Sequence, residues 1–387
     1  MHPDGAFYDA IVVGARAAGA ATAMLLARHG QRVLVVDRSR YGADTLSTHG
    51  LMRAGVLQLH RWGLIDRVVQ AGTPPIRRTT FNYGGEEVVI TIKPSFGVDA
   101  LYAPRRTVLD PILVDAAAAA GAEFRYGITV TDVRRDDHGQ VCGIVGRDEH
   151  GRALVVDSPI VVGADGVRST IADRVNAPIE RTGTGATAVV YGYWTNLETD
   201  GYEWLYRPNA MAGIIPTNDG QTCVFAGATP DRIGAGGIHV LRDVLAEAAP
   251  DVAARVDAAT APPGVRTFKG LPGIIRRPWG PGWALVGDAG YWKDPISVHG
   301  LTDALRDAEL LARAITLTEP GTDDRTEALA DYQVTRDRLS RQLFDVTDTI
   351  AAQHWTADEI PGLLIQLSSA MAEEVETLAA LDAVVVA

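Results

Sequence analysis

The chain changes hydrophobic period in well-separated blocks. Tyr8-Asp9-Ala10-Ile11-Val12-Val13 is a continuous apolar run of strand length, and the segment after a glycine turn is apolar at helical spacing to about residue 28. Gly30 stops that helix, and Arg32-Val33-Leu34-Val35-Val36-Asp37 supplies a second buried strand. A strand–helix–strand unit of this length predicts a parallel sheet with a right-handed crossover. The pattern next predicts helix over 46–69, a hairpin over 79–92 turning at Tyr83-Gly84-Gly85, and helix over 106–119 with Pro111 in its first turn. Three short strands over 128–156 are separated by Asp137-His138-Gly139 and Glu149-His150-Gly151, whose histidines read as solvated turn residues. Ile160-Val161-Val162-Gly163 is again a buried strand. Residues 180–230 form short strands carrying Tyr191, Tyr193, Trp194 and Trp204. Helix is predicted over 240–248, a buried strand at Trp283-Ala284-Leu285-Val286, a long helix over 300–316, and amphipathic helix from about 325.

Composition narrows the classes without choosing among them. A hydrophobic fraction of 47% and a charged fraction of 22% are those of a folded globular chain. No apolar run is long enough to span a bilayer. Met1-His2-Pro3-Asp4-Gly5 lacks the basic start of a signal peptide, and Val384-Val385-Val386-Ala387 is too short to anchor anything. Cys142 and Cys223 form neither a CxxC pair nor a zinc pattern, which excludes a redox-active dithiol and points to a reducing cytoplasm. No metal site is expected. The net charge of −12 argues against nucleic acid and against anionic membrane surfaces as partners. Arginine far outnumbers lysine, which is present only at Lys93, Lys269 and Lys293.

The strongest local motif is Gly14-Ala15-Arg16-Ala17-Ala18-Gly19, between the first strand and helix. A helix N-terminus offers unpaired N–H groups and partial positive charge, which suit a pyrophosphate. The first glycine permits the tight turn and the third lets helix pack on strand, while the second position is Arg16. By itself this turn fits a dinucleotide site and an ordinary glycine turn equally. Asp37, 18 residues beyond Gly19 at the end of the second strand, is placed to bind a ribose hydroxyl and disfavours a 2′-phosphate. It is otherwise a strand-end cap. Two further acids follow buried strands, in Ala164-Asp165-Gly166 and in Leu285-Val286-Gly287-Asp288-Ala289.

With these three motifs in order, the chain resembles the class A flavoprotein monooxygenases, the para-hydroxybenzoate hydroxylase-like family, from about Asp9 to Ala312. The resemblance implies non-covalent FAD, with Asp288 on the ribityl chain and Arg106 near the flavin–phosphate region. It implies that Arg53, in Leu51-Met52-Arg53-Ala54-Gly55, faces the pyrophosphate, and that Asp165 supports FAD and a nicotinamide donor. Ala17, Ala18, Arg38, Val130 and Gly287 complete the implied cofactor contacts. The family run Ala-Ala-His-x-x-x-Pro, then Gly-x-Gly-x-Asn, is matched in spacing by Ala289-Gly290-Tyr291-Trp292-Lys293-Asp294-Pro295 and Val298-His299-Gly300-Leu301-Thr302. Pro295 would lie beside the isoalloxazine, and Gly300, Leu301 and Thr302 would aim helix N–H groups at the flavin edge where charge accumulates on reduction.

The implied activity is hydroxylation or oxidation of a small, aromatic, apolar metabolite through a peroxyflavin, with molecular oxygen as co-substrate. Only one dinucleotide fingerprint is visible, so NADH or NADPH would bind transiently, or a separate flavin reductase would supply electrons. His49 and His299 lie in flavin-proximal motifs and are the candidate bases; each also reads as a packing residue. Tyr83, Tyr191, Tyr193, Trp204 and Tyr206 suit sheet core and pocket wall equally. A flavin halogenase would need a lysine from the first domain and a Trp-x-Trp-x-Ile-Pro segment, and Met211-Ala212-Gly213-Ile214-Ile215-Pro216 has neither tryptophan. A geranylgeranyl-type reductase and a non-catalytic flavin-binding protein are the other readings. The expected architecture is α/β: a Rossmann-type FAD domain from 1–75, 100–178 and 270–325, an inserted antiparallel-sheet substrate domain from 76–99 and 179–269, and a helical C-terminus over 326–387.

Overall fold

The computed structural model describes residues 7–83 and 86–381. At its centre the strand Ala10–Val13 pairs in parallel with Val33–Asp37 on one side and Val161–Gly163 on the other. Glu123–Tyr126 and Trp283–Leu285 extend the parallel sheet, and the short Trp279–Gly280 closes one edge antiparallel. The inner strands read as apolar runs because both faces are covered, while the edge strand Glu123–Tyr126 carries charge. On one face lie the helices Ala17–Arg28, Arg106–Ala119 and Gly300–Thr316, joined in one core with Val12, Val35 and Val162. On the other, Ile11, Val13, Leu34 and Val36 pack against Val133, Val141, Ile144 and Val156. Those four belong to the three-stranded antiparallel sheet Thr129–Arg135, Val141–Arg147 and Ala153–Asp157.

A seven-stranded sheet forms the second half. Its order is Arg266–Phe268, Ala188–Thr195, Gln221–Ala228, Ala210–Pro216, Tyr202–Arg207, Arg78–Tyr83 and Glu86–Thr91. All neighbours are antiparallel except Tyr202–Arg207 with Arg78–Tyr83, where a distant chain segment joins the edge in parallel. Alternation separates the faces. Val190, Trp194, Leu205 and Val224 pack under the helices Ile238–Ala248 and Pro250–Ala258. Tyr191, Trp204, Tyr206 and Phe225 look the other way, towards Val346, Ile350, Trp355 and Ile360 of the C-terminal region. Two helices, Asp323–Ala352 and Ile360–Ala380, therefore contribute to the cores of both halves.

Two expectations change, and others cannot be compared. Helix does not begin at 46: residues 46–50 are irregular, His49 takes a positive φ of 66°, and helices run only over Arg53–Arg61 and Ile65–Gln70. Pro111 lies in the second turn of its helix, beyond the turn where its missing N–H costs nothing. The predicted Gly84-Gly85 turn, the opening Met1-His2-Pro3-Asp4-Gly5 and the closing Val384-Val385-Val386-Ala387 lie outside the described residues.

Candidate functional site

One cavity of about 570 Å³ opens where the parallel strands end, between the two sheet systems. Gly14, Asp37, Ala164, Asp165, Val286 and Asp288 line it, each at or just beyond the C-terminal end of a strand of the parallel sheet. Ligands of open α/β sheets bind at that edge.

The glycine turn explains which of its positions are fixed. Gly14 has φ +110°, and a Cβ there would stand 2.3 Å from the Ala164 carbonyl oxygen. A Cβ at Gly19 would meet the Gly14 oxygen at 1.9 Å. Arg16 sits at φ −94°, ψ −171°, ordinary extended backbone that any residue adopts. The departure at the second glycine is therefore free of backbone strain. Arg16 lines the cavity, with its Nη1 buried and lacking a hydrogen-bond partner among the described residues. Burial and the neighbouring Arg106 hold the Arg16 pKa below its usual value. Two guanidinium groups this close suit an anion between them. Arg106 is itself fixed by a bidentate pair with Asp110, both contacts 2.9 Å.

The three acids differ. Asp37 accepts from Ala15 N at 2.7 Å and Ser39 N at 2.6 Å, so it braces the turn as well as facing the cavity. Asp165 accepts from the Ser169 hydroxyl at 2.5 Å and from Thr170 N at 2.7 Å, which makes it a cap for the short helix Thr170–Arg174. No hydrogen bond among the described residues reaches the Asp288 carboxylate, which opens onto the cavity, and burial pushes its pKa up to about 6. An acid held there without a protein partner fits hydroxyl donors of a bound molecule. The carboxylate, the unpartnered guanidinium and the Cβ-free turn together fit a flavin dinucleotide.

Beyond Asp288 the wall changes character. Asp294 accepts from Thr187 N at 2.6 Å and Ile296 N at 3.0 Å, which fixes the turn carrying Pro295 at the cavity. Val298 adopts φ +51°, ψ +31°, a left-handed conformation costly for a β-branched residue, at the position where the family pattern has glycine. Its side chain is accommodated by Gly50, where a Cβ would lie 2.2 Å from Val298 Cγ1. Gly300 and Leu301 open the long helix at the cavity. Thr302 does not reach it: its hydroxyl accepts from Met52 N at 3.1 Å and is buried between elements. The apolar part of the wall comes from Val189, Tyr191, Phe225, Phe268, Trp292 and Ile296.

Beneath this wall lies a cluster of buried charges that sequence reasoning missed. Lys293 lines the cavity and donates to Asp303. Arg306 donates to Asp303 at 3.1 Å, to Glu374 at 3.1 Å and to Asp307 at 2.7 Å. His299 Nε2 lies 2.6 Å from Glu374 Oε2, and His299 Nδ1 is buried with no hydrogen-bond partner among the described residues. Burial drops the Lys293 pKa to about 7, and it lowers that of His299 against the opposing pull of Glu374. Glu374 is held down to about 2 by His299 and Arg306 despite its burial. Ligand atoms of His299, Asp303 and Glu374 come within 4.8 Å of one another. Lys293 and Arg306 already supply the positive charge a cation would bring, so the group is an ion-pair network.

His49 also lines the cavity. Its Nε2 is 2.5 Å from the Tyr193 hydroxyl, its Nδ1 is buried with no partner among the described residues, and burial beside Arg105 and Arg106 lowers its pKa well below 6.5. Ala17, Ala18, Arg38 and Val130 line the cavity too. Gly19 and Gly287 act one layer behind it as close-packing glycines, Gly287 against Ala18. Arg53 is a correction: its guanidinium donates to Val98 O at 3.0 Å and Lys93 O at 2.8 Å, away from the cavity, because its helix begins only there. Of the lysines weighed for halogenation, Lys93 is exposed and Lys269 donates to Gly234 O at the surface.

Comparison with known proteins agrees with this geometry. The FAD binding domain family model matches residues 8–347. The chain is 28% identical over 325 residues to a menaquinone reductase of Mycolicibacterium smegmatis, covering 80% of this chain and 76% of the relative. Among solved structures, the flavin-dependent brominase Bmp2 superposes with a TM-score of 0.80 at 19% identity, covering 97% of this chain and 94% of the other. PqsL of Pseudomonas aeruginosa, a probable FAD-dependent monooxygenase, superposes with a TM-score of 0.73 at 22% identity, covering 95% and 100%. At these identities the structural likeness is one of fold.

Proposed function

The chain belongs to the FAD binding domain family, the class A monooxygenase-like flavoproteins, and is an FAD-dependent oxidoreductase; from that premise we propose that it inserts oxygen into a small, apolar, aromatic molecule. Bound FAD supplies the redox chemistry with oxygen. The chain's own part is to bind, orient and keep dry. Gly14, Arg16, Arg106 and Asp288 hold the cofactor at one end, and Tyr191, Phe225, Phe268 and Trp292 enclose a flat apolar guest at the other.

One observation carries the reading. The apolar end of the cavity is walled by Tyr191, Phe225, Phe268 and Trp292, and His49 and His299 stand in that wall almost wholly buried with pKa values lowered by the burial, so both are neutral near pH 7. A flat, neutral aromatic molecule fits such a wall beside a bound flavin. NADH or NADPH acts as a transient donor in this scheme, or a separate flavin reductase reduces the cofactor.

A second reading is favoured by the relative named a menaquinone reductase: hydrogen transfer to a polyprenyl or quinoid lipid. Halogenation is disfavoured, since Lys93 and Lys269 lie at the surface and Lys293 is engaged with Asp303. The test is anaerobic reduction of the holoenzyme by NADH and by NADPH, followed by oxygen, with candidate phenols and halide present. A product heavier by one oxygen atom and indifferent to chloride and bromide supports the proposal. A halogenated product, or a saturated one formed without oxygen, refutes it.

A further inference from the structure

We propose that two copies of this chain pair through the strand Glu86–Thr91, antiparallel and centred on Ile90, so that their seven-stranded sheets join into one. The pairing concerns assembly and is independent of the reaction. That strand ends the sheet order and pairs on one side only, with Arg78–Tyr83. Ile92 N donates to Arg77 O at 2.8 Å, which fixes the alternation of the ladder. The backbone groups of Val88, Ile90 and Ile92 therefore face the neighbouring strand, and those of Glu87, Val89 and Thr91 face outward. No further strand among the described residues covers that edge. An open edge of this kind is a template for another strand.

The side chains decide which strand fits. Val88, Ile90 and Ile92 continue the face that carries Phe81 and Trp204; Ile92 packs against that core, while Ile90 is left 46% exposed. The opposite face carries Glu87, Val89, Thr91 and Lys93, with Val89 43% exposed. Only outward-facing residues can exchange ladder bonds, so an antiparallel copy must match odd-numbered positions to odd-numbered ones. Centred on Ile90, Val89 pairs with the partner's Thr91 and Glu87 with the partner's Lys93, once on each side of the two-fold axis. On the apolar face Val88 meets Ile92 and Ile90 meets its own copy. Centred on Val89, Lys93 has no acid opposite it and Glu86 meets Ile92. Centred on Thr91, Lys93 meets Val89. Charge and apolar pattern thus select the register centred on Ile90. The ladder ends at Lys93, whose carbonyl already accepts from Arg53 at 2.8 Å and which Pro94 follows.

One strand edge is smaller than the standard interface of about 1,600 Å², so dissociation is expected near micromolar concentrations. Sedimentation velocity of the FAD-loaded protein up to about 100 µM should show dimer at the upper end. Lys93→Glu and Glu87→Lys each set like charges opposite one another twice, and each should weaken the dimer about tenfold, while the two changes together should restore it. FAD content reports that every variant is folded. Ile90→Cys should give a disulfide-linked dimer on mild oxidation, because the two residues face each other across the axis, and Val89→Cys should not. A dimer indifferent to both charge reversals, or crosslinking that does not favour residue 90, would overturn the pairing. So would a monomer at the highest concentration, in which case the charged ends only keep the edge from pairing.

Discussion

At the glycine-turn end of the cavity the walls are a tight backbone turn and side chains standing at strand ends and a helix start. At the other end six ionisable side chains, His299 and Glu374 among them 75 residues apart, meet out of water. The first end is rigid because a tight turn leaves no room for a Cβ. The second is rigid because each buried charge has a partner it cannot lose. A steric site tolerates changes in charge, as Arg16 in the second glycine's place illustrates; a charge network tolerates little.

The largest effect should come from breaking the network. Arg306→Met leaves Asp303, Asp307 and Glu374 short of a cation, which should lower stability by about 3–5 kcal/mol, read as the urea unfolding midpoint. A loss near zero would mean the charges are already paired by water. Gly14→Val forces a Cβ against Ala164 and a β-branched residue to φ +110°, at a cost of about 2–4 kcal/mol. Its distinctive outcome is loss of bound FAD, measured by extraction after gel filtration.

Asp288→Ala keeps the fold and removes an acceptor, with FAD affinity falling about tenfold to a hundredfold, equivalent to roughly 1.5–3 kcal/mol. Equal FAD retention in Asp288→Ala and His299→Ala would contradict the division between the two ends. The wild-type pH dependence carries the same information. Burial raises the Asp288 pKa to about 6 from 3.8, so the folded apoprotein binds this proton more tightly than the unfolded chain. Apoprotein stability from this group should fall as pH rises from about 4 to about 6, while FAD affinity rises over that window as the carboxylate forms. The smallest effect is expected for Arg16→Ala: a few-fold loss of FAD affinity at low salt, shrinking as salt screens the contact. Unchanged affinity at low salt would mean the guanidinium does not meet the phosphates.

What was legible in the sequence follows the same division. The turn at 14–19, Asp37 and Asp288 stand out because strand ends and glycine sterics are local, and a local pattern shows them. The long helix from Gly300 and the presence of short strands over 180–230 were equally readable. The loop at 46–50 was not, since its apolar spacing resembles helix while its irregular backbone is held by distant segments, through the Val298–Gly50 contact and the Ser47 N–H donated to the Tyr191 hydroxyl. Nor was Arg53's orientation, which depends on where that helix starts.

Lys293 and Glu374 were invisible for another reason. No motif announces a salt bridge between segments far apart. A signal did exist: Glu374 falls on the buried stripe of Leu367, Ala370 and Leu378 at helical spacing, where an acid must find a partner. Asp303, Arg306 and Asp307 likewise sit in a helix buried almost throughout.

The most direct test of oxygen insertion is turnover of a phenolic substrate under ¹⁸O₂ with the product examined by mass spectrometry. The account predicts one labelled oxygen atom per product molecule and no product without oxygen. A product that forms anaerobically with added hydrogen and no label would contradict it.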